Sequence, residues 1–370
     1  VYLAAYFLQE GSLVRRGIVY FIAATVLLTL VWRAVYIRVF TAPAFLRRVV
    51  IVGAGLGGRT LLRLFNNLSP RPFVLVGLID DDTAKQGQVI EGVPVLGDNT
   101  RLLQIVDQEA VSDLIVAIQG TMNGAMFQAL LDAQQRGVDI SRMPVVYEEL
   151  LGRVPIHHLE SDWILRSFVD EVRVSSLYLL AKRLMDVVGG LVGVLALGFL
   201  LPWIAMAILL ESGRPVFFMQ TRLGQGGRIY RVVKFRTMRQ NAESDGQAQW
   251  AKAGDTRTTR IGAILRRMHV DEFPQFWNVL RGDMSLVGPR PERPELVAEL
   301  EKSIPFYRAR LLAKPGVSGW AQVSYGKGAS VEGSAEKLEY DLYYIKHRSL
   351  MLDLWIVLRT FGSVFGLRGV

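Results

Sequence analysis

A chain of 370 residues has room for two domains plus accessory segments. This one carries 43 Lys+Arg against 34 Asp+Glu for a formal net charge of +9, and 51% of it is hydrophobic; the mean hydropathy of +0.26 points to membrane contact. Cysteine is absent and histidine occurs only at 157, 158, 269 and 347, which excludes thiol catalysis, disulfides and cysteine-based zinc sites and disfavours a His-rich metal site. The positive balance suits an anionic partner such as lipid headgroups or a diphosphate. Nucleic acid is disfavoured, because the basic residues alternate with apolar ones and form no zinc-finger or basic-zipper pattern.

Residues 17–32 form an uncharged apolar run at the short end of what spans a bilayer, with Tyr20 and Trp32 placed for the two interfaces. Arg15 and Arg16 precede it, while Arg33, Arg38, Arg47 and Arg48 lie beyond it, so the positive-inside rule assigns the C-terminal side of the run to the cytoplasm. A buried core helix is the alternative. Residues 1–8 read as the tail of a preceding span.

From Val49 the pattern changes to a β-branched run, 49–52, that enters Gly53-Ala54-Gly55-Leu56-Gly57-Gly58 and then a helical stretch, 59–67. That is G-x-G-x-x-G in its strand-turn-helix setting. A second strand, 73–79, ends at Asp80, 22 residues after Gly58 and close to where an acid holds an adenosine ribose. With a third strand at 113–118, the alternation predicts a doubly wound parallel sheet. Gly53, Gly55, Gly58 and Asp80 are its nucleotide-binding candidates. A sheet that keeps the glycine turn only for tight packing fits equally well. A nucleotide-sugar dehydratase or epimerase would need Tyr-x-x-x-Lys here, but Tyr147 is followed by Glu148-Glu149-Leu150-Leu151.

Residues 151–177, with Pro155, His157 and His158, read as a connector. Lys182-Arg183-Leu184-Met185-Asp186 then opens a second apolar run, 187–210, interrupted by Gly189, Gly190, Gly193, Gly198 and Pro202. Proline inside a helix removes a backbone bond and kinks it. With Lys182 and Arg183 before the run and Arg214 after it, a helix that enters and returns on one face is expected over about 182–210. A straight second span is the alternative; it would put Asp271 across the membrane from the sheet.

Residues 230–238 alternate, which places Tyr230, Val232, Lys234 and Arg236 on one face of a strand beside the glycine-rich turn 224–227. Two cations there suit phosphate oxygens, although a solvated edge strand is the plainer reading. Residues 240–259 are polar and read as a loop over the site. An amphipathic helix, 261–268, carries Arg266 and Arg267 and is followed by Asp271-Glu272-Phe273-Pro274. Proline is tolerated in a first helical turn, so the carboxylate pair is expected at a helix N-terminus, where N–H groups attract phosphate. Such a pair beside an anion site suggests phosphoryl chemistry with a metal ion; helix capping alone is the rival. Beyond a helix at 335–347, the apolar stretch 350–365 suits the membrane interface, a homodimer contact or a core.

Lys182-Arg183-Leu184-Met185-Asp186, Arg214-Pro215-Val216-Phe217-Phe218, Lys234-Phe235-Arg236-Thr237-Met238, Asp271-Glu272-Phe273-Pro274-Gln275, Gly282-Asp283-Met284-Ser285-Leu286-Val287-Gly288-Pro289-Arg290-Pro291 and Gly316-Val317-Ser318-Gly319-Trp320-Ala321-Gln322-Val323 occur in this order. Together with Tyr340-Asp341-Leu342-Tyr343-Tyr344-Ile345, they resemble the bacterial sugar transferase domain. This is the domain of polyprenyl-phosphate glycosyl-1-phosphate transferases with a monotopic catalytic core. The likeness covers roughly 180–370, and the segments ahead of it resemble the large subfamily, of the undecaprenyl-phosphate glucose phosphotransferase type that serves exopolysaccharide systems.

The resemblance implies an α/β membrane protein of the bacterial inner membrane with its catalytic domain on the cytoplasmic face. Its parts would be transmembrane segments in 1–47, a Rossmann-like (CoA-binding-like) domain in 48–150, the connector 151–177, and an α-rich catalytic domain in 178–370 with a re-entrant helix. It implies that Asp271 attacks the sugar-side phosphate of a UDP-sugar, that UMP leaves, and that undecaprenyl phosphate then takes the sugar phosphate. Glu272, with Asp271, would hold Mg²⁺. Lys234, Arg236, Arg266 and Arg222 are its candidates for the phosphates, and Arg290 for the nucleotide or lipid phosphate. In the family a Ser-Pro pair breaks the re-entrant helix midway; here Leu201-Pro202 stands nearer the far end. The sugar stays open between glucose, galactose and an N-acetyl sugar. A non-catalytic membrane scaffold is the remaining alternative.

Overall fold

The computed structural model describes residues 15–40, 46–69, 72–159, 175–239, 257–325 and 330–364. The expectations for residues 1–8, for most of the connector and for the polar loop from 240 fall outside the described residues. The chain divides into two compact units, Val1–Val146 and Tyr147–Val370.

Among the described residues the first unit begins with helix α1 (Arg15–Phe40), 26 residues or roughly 39 Å at the helical rise. Its apolar part, Tyr20–Tyr36, lies at the short end of what spans a bilayer. The Thr25 and Thr29 hydroxyls donate to the carbonyls of Phe21 and Thr25 (2.8 and 2.7 Å), so neither needs a partner outside the helix. A six-stranded sheet follows in the order β3-β4-β2-β1-β5-β6. Its strands are β1 (Arg47–Val52), β2 (Phe73–Ile79), β3 (Val89–Ile90), β4 (Val93–Gly97), β5 (Asp113–Val116) and β6 (Asp139–Arg142), all parallel except the β3–β4 pair. Val50, Ile51 and Val52 are fully buried, as a central parallel strand covered on both faces demands. Helices α2 (Leu56–Asn67), α3 (Leu102–Gln108) and α4 (Gly124–Gln135) cover it. The glycine turn passes straight into α2, which begins three residues before the expected 59.

Helix α5 (Met143–Leu151) carries the unit boundary. In the first part of the connector expected from 151, Val154 and Ile156 are built into the main core of the second unit, beside Val287, Leu338, Leu342 and Tyr344. Two apolar side chains within reach of that core gain more from burial than from solvent.

The second unit is organised around α6 (Ser176–Ser212), a helix of 37 residues with Pro202 inside it. One helix runs through Pro202, where a kink is expected. Leu197, Leu201, Ile204 and Ile208 pack continuously against Phe217, Phe235 and Leu265, so packing spans the position where the proline removes a bond. An antiparallel hairpin, β7 (Phe217–Leu223) and β8 (Ile229–Phe235), follows. Then come α7 (Arg260–Arg267), α8 (Gln275–Arg281), β9 (Ser285–Val287) and α9 (Pro294–Ser303), then β10 (Gly316–Ser318), parallel to β9, and α10 (Trp320–Ser324), α11 (Val331–Lys346) and α12 (Leu350–Val364). Strands β9 and β10 bring two turns into contact. A Cβ on Gly316 would lie 2.1 Å from the Gly288 nitrogen, which accounts physically for glycine in both motifs.

Candidate active site

Helix α7 is capped by Thr259, whose hydroxyl accepts from the Gly262 nitrogen (2.9 Å), and it ends at Met268. His269, in the left-handed region at φ 56°, turns the chain into a 3₁₀ turn, Val270–Glu272. Asp271 and Glu272 therefore sit in the first turn of this short 3₁₀ helix, which Phe273 and Pro274, both in the right-handed helical region, carry into α8. Pro274 stands at the N-cap of α8, and the left-handed His269 separates the pair from α7.

Side chains from three further elements converge on the pair. Lys234, next to last in β8, and Arg290, in the turn after β9, each donate to Glu272 Oε1 at 2.7 Å. Burial by itself would raise the Glu272 pKa, but Arg290 and Lys234 outweigh it and hold the carboxyl far below the usual carboxylate range. Asp271 titrates the other way. Burial raises it, the neighbouring Glu272 charge adds to the rise, and Lys234, Arg266 and Arg290 only partly offset both. Among the described residues the Asp271 carboxylate accepts no hydrogen bond. Arg266 is held by Thr237, whose hydroxyl accepts from its Nε at 2.9 Å, and acts on Asp271 through charge. Burial pulls the Lys234 pKa down against the opposing pull of Glu272.

Two expected phosphate ligands point elsewhere. Strand β8 ends at Phe235, so the alternation that grouped Arg236 with Lys234 stops one residue short. The buried Arg236 guanidinium instead donates to the Ser212 carbonyl and hydroxyl (2.7 Å each) and to the Gly213 carbonyl (2.5 Å). It caps the end of α6, where orphan carbonyls and the helix dipole attract a cation. Arg222 donates to the Pro291 carbonyl (3.1 Å) and to Gln220 Oε1 (2.5 Å), and lies 3.6 Å from Glu292. It braces the Arg290 turn from behind.

In the sheet unit, a Cβ on Gly58 would meet the Gly53 carbonyl at 2.1 Å, while Gly55 faces open space. Asp80 closes on its own glycine turn. Its carboxylate accepts from the nitrogens of Ala54 (2.7 Å) and Asp82 (2.9 Å) and from Lys85 Nζ (3.2 Å). The acid expected to hold a ribose is thus already engaged by the loop.

Sequence reasoning gave no role to several groups that hold the site. Arg183 donates to the Val279 and Leu280 carbonyls at the end of α8 (3.0 and 2.8 Å). Asp186 accepts from the Ser285 hydroxyl (2.8 Å) and the Leu286 nitrogen (2.9 Å), and Lys182 donates to the Val287 carbonyl (3.1 Å) and to Asp353 (3.0 Å). The signal was present in the Lys182-Arg183-Leu184-Met185-Asp186 motif, whose i, i+4 spacing puts Lys182 and Asp186 on one helical face. The second carboxylate oxygen of Glu272 and the whole Asp271 carboxylate remain for a cation. Two carboxylates with hard oxygen donors fit Mg²⁺, which commonly takes one or two carboxylates and completes its shell with waters and substrate phosphates.

Residues 177–367 match the bacterial sugar transferase family, and residues 1–144 match the CoA-binding domain family. The chain is 42% identical over 234 residues to the UDP-N-acetylgalactosamine-undecaprenyl-phosphate N-acetylgalactosaminephosphotransferase of Aeromonas hydrophila, covering 62% of this chain and 54% of that one. It is 31% identical over 384 residues to the UDP-glucose:undecaprenyl-phosphate glucose-1-phosphate transferase of Xanthomonas campestris pv. campestris, covering 98% of this chain and 76% of that one. The Escherichia coli (strain K12) protein of the same name is 31% identical over 317 residues, with 85% and 67% covered. The chain thus spans about half the length of the Aeromonas relative and about three quarters of the Xanthomonas one. Ordered motifs, a site assembled from them and a match over most of the second unit agree: the chain belongs to the bacterial sugar transferase family.

Proposed function

We propose that this protein transfers a sugar 1-phosphate from a UDP-sugar to undecaprenyl phosphate at the cytoplasmic face of the bacterial inner membrane, and so begins a polysaccharide repeat unit. The observation that carries the reading is Asp271: a largely buried carboxylate, free of hydrogen bonds among the described residues, with Lys234, Arg266 and Arg290 around it. The relatives' names supply the substrate classes, and they include both glucose and N-acetylgalactosamine donors.

In the first step an Asp271 oxygen forms a bond to the sugar-side phosphorus while the bond from that phosphorus to the UMP oxygen breaks. UMP leaves as a phosphate monoester anion, so no general acid is required. In the second step an oxygen of undecaprenyl phosphate attacks the same phosphorus and returns the Asp271 carboxylate. That nucleophile is already an anion, so no general base is required, which agrees with a site built from carboxylates and cations. Lys234, Arg266 and Arg290 hold the phosphate oxygens. Asp271 and the second oxygen of Glu272 would hold Mg²⁺, which when bound neutralises charge between two anions that otherwise repel.

Membrane attachment rests on α6, the single helix among those described that is long and apolar enough to cross a bilayer. Leu184, Leu191, Leu195, Phe199, Trp203 and Leu210 lie exposed along it.

Asp271→Asn is expected to abolish UMP release from the UDP-sugar that wild type uses, since an amide is no nucleophile for phosphorus. Near-wild-type release by that variant would discard the assignment, and carboxylate substitutions without effect would favour a scaffold. UMP release is also expected to stop on chelation with EDTA and to return with Mg²⁺; release unchanged by the chelator removes the metal from the scheme. A screen of UDP-glucose, UDP-galactose and N-acetylated donors identifies the sugar.

A further inference from the structure

Taking the proposed transferase site as the frame, we infer that Arg310, locked by Asp341, is a positioning residue that fixes the Arg290 turn so that the Arg290 guanidinium meets Glu272. The Arg290 side chain is 48% exposed, and among the described residues only Glu272 holds its guanidinium. A long exposed side chain pays a rotamer cost for each contact, so its aim depends on a fixed backbone. That backbone is held from the inside. Arg310 NH2 donates to the Arg290 carbonyl (3.0 Å) and to Asp341 Oδ2 (2.8 Å), and Arg310 NH1 donates to the Tyr307 hydroxyl (2.6 Å). Arg222 holds the next carbonyl, that of Pro291 (3.1 Å). Pro289 and Pro291 restrict φ on either side of Arg290.

Arg310 and Asp341 are 6% and 2% exposed. A buried ion pair of this kind adds little stability over an apolar pair of the same size, so its occurrence needs another account. Orientation supplies one. The pair ties α11, which carries Asp341 in the Tyr340-Asp341-Leu342-Tyr343-Tyr344-Ile345 motif, to the one carbonyl that aims Arg290. Neither residue touches the reacting atoms. Each acts through Arg290.

The test is a double-mutant cycle on UMP release with amide exchange beside it. Asp341→Asn and Arg310→Lys are each expected to lower kcat/KM by about tenfold to a hundredfold, the loss typical of a misplaced group. In an Arg290→Ala background the same substitutions should change kcat/KM by no more than about twofold, because the residue they position is gone. Losses that multiply in that background overturn the inference. Independently of the reaction, amide exchange of the peptide over 285–292 should rise in both variants, and unchanged exchange overturns it too. Should Asp341→Asn fail to fold, Tyr307→Phe removes one bond from Arg310 and is expected to show the same dependence on Arg290. If wild type releases no UMP, the functional reading fails while the exchange measurement still decides the positioning role.

Discussion

Asp271 and Glu272 are neighbours in sequence and opposite in titration. Glu272 takes both Lys234 and Arg290 on one oxygen and stays ionised, whereas Asp271 receives only their more distant field and is raised by burial and by Glu272 itself. The consequence is a pH dependence of activity. Attack needs the ionised form, and a raised pKa means that this form is lost at higher pH than for an ordinary aspartate. The acid limb of kcat/KM for UMP release is therefore expected above the unperturbed value of 3.8. A rate that holds level down to that value would show that the cations win at Asp271 as well. The pair itself was legible because two adjacent carboxylates stand just ahead of Pro274, after the basic end of an amphipathic helix. Arg236 was misplaced because alternation reports the face of a strand but not where the strand ends or which carbonyl lies beyond it; Arg222, a candidate through the resemblance alone, turns to the Pro291 carbonyl. Arg310 and Asp341 were not legible at all, since 31 residues separate them and only the packed core brings them together.

At the scale of elements, α6 acts as the bed on which the site is laid. A Cβ on Gly193 would lie 2.2 Å from Phe276 Cγ, and one on Gly189 would lie 2.4 Å from a Leu286 methyl. Of the glycines that read in the sequence as interruptions of an apolar run, Gly189, Gly190 and Gly193 are the places where α8 and β9 dock on the helix, while Gly198 faces open space. Phe276 belongs to α8, directly after the carboxylate turn, and Leu286 belongs to β9, directly before the Arg290 turn. Both halves of the site are thereby registered on one helix, with Arg183, Lys182 and Asp186 fixing the same two elements through hydrogen bonds. Gly193→Leu is expected to destabilise the second unit by about 1–3 kcal/mol through overpacking and to reduce UMP release, because Phe276 must move. Adding Phe276→Ala should recover part of the stability. A Gly193→Leu protein with wild-type melting temperature and activity would show that α8 does not depend on this contact. Periodicity located the helix but not its continuity, since proline signals a lost backbone bond and leaves to tertiary packing whether the helix stops there.

At the scale of the second unit, the two ends of α6 constrain how it meets a bilayer. Near its start, Lys182 and Asp186 bond to Val287, Ser285 and Leu286. At its finish, Arg236 caps Ser212, and the Glu211 carboxylate accepts from the Arg260 and Ile261 nitrogens (2.7 and 2.9 Å). About 39 Å of helix lies between Asp186 and Ser212, more than the ~30 Å hydrocarbon thickness. A straight crossing would leave the two sets of partners on opposite sides, yet both belong to one folded unit. Leu197, Leu201 and Ile204 pack on that unit between them. We therefore read α6 as held on one side of the membrane, with its outward residues, together with the exposed Met351, Leu358 and Phe361 of α12, facing lipid. The chain contains no cysteine, so single cysteines report without background. Ser176→Cys and Arg228→Cys, both at exposed positions flanking the helix, should react with a membrane-impermeant maleimide in inverted vesicles and stay unlabelled in intact spheroplasts. Labelling of the two positions from opposite sides would mean that α6 crosses, and the bonds at one of its ends would then have to be broken in the membrane.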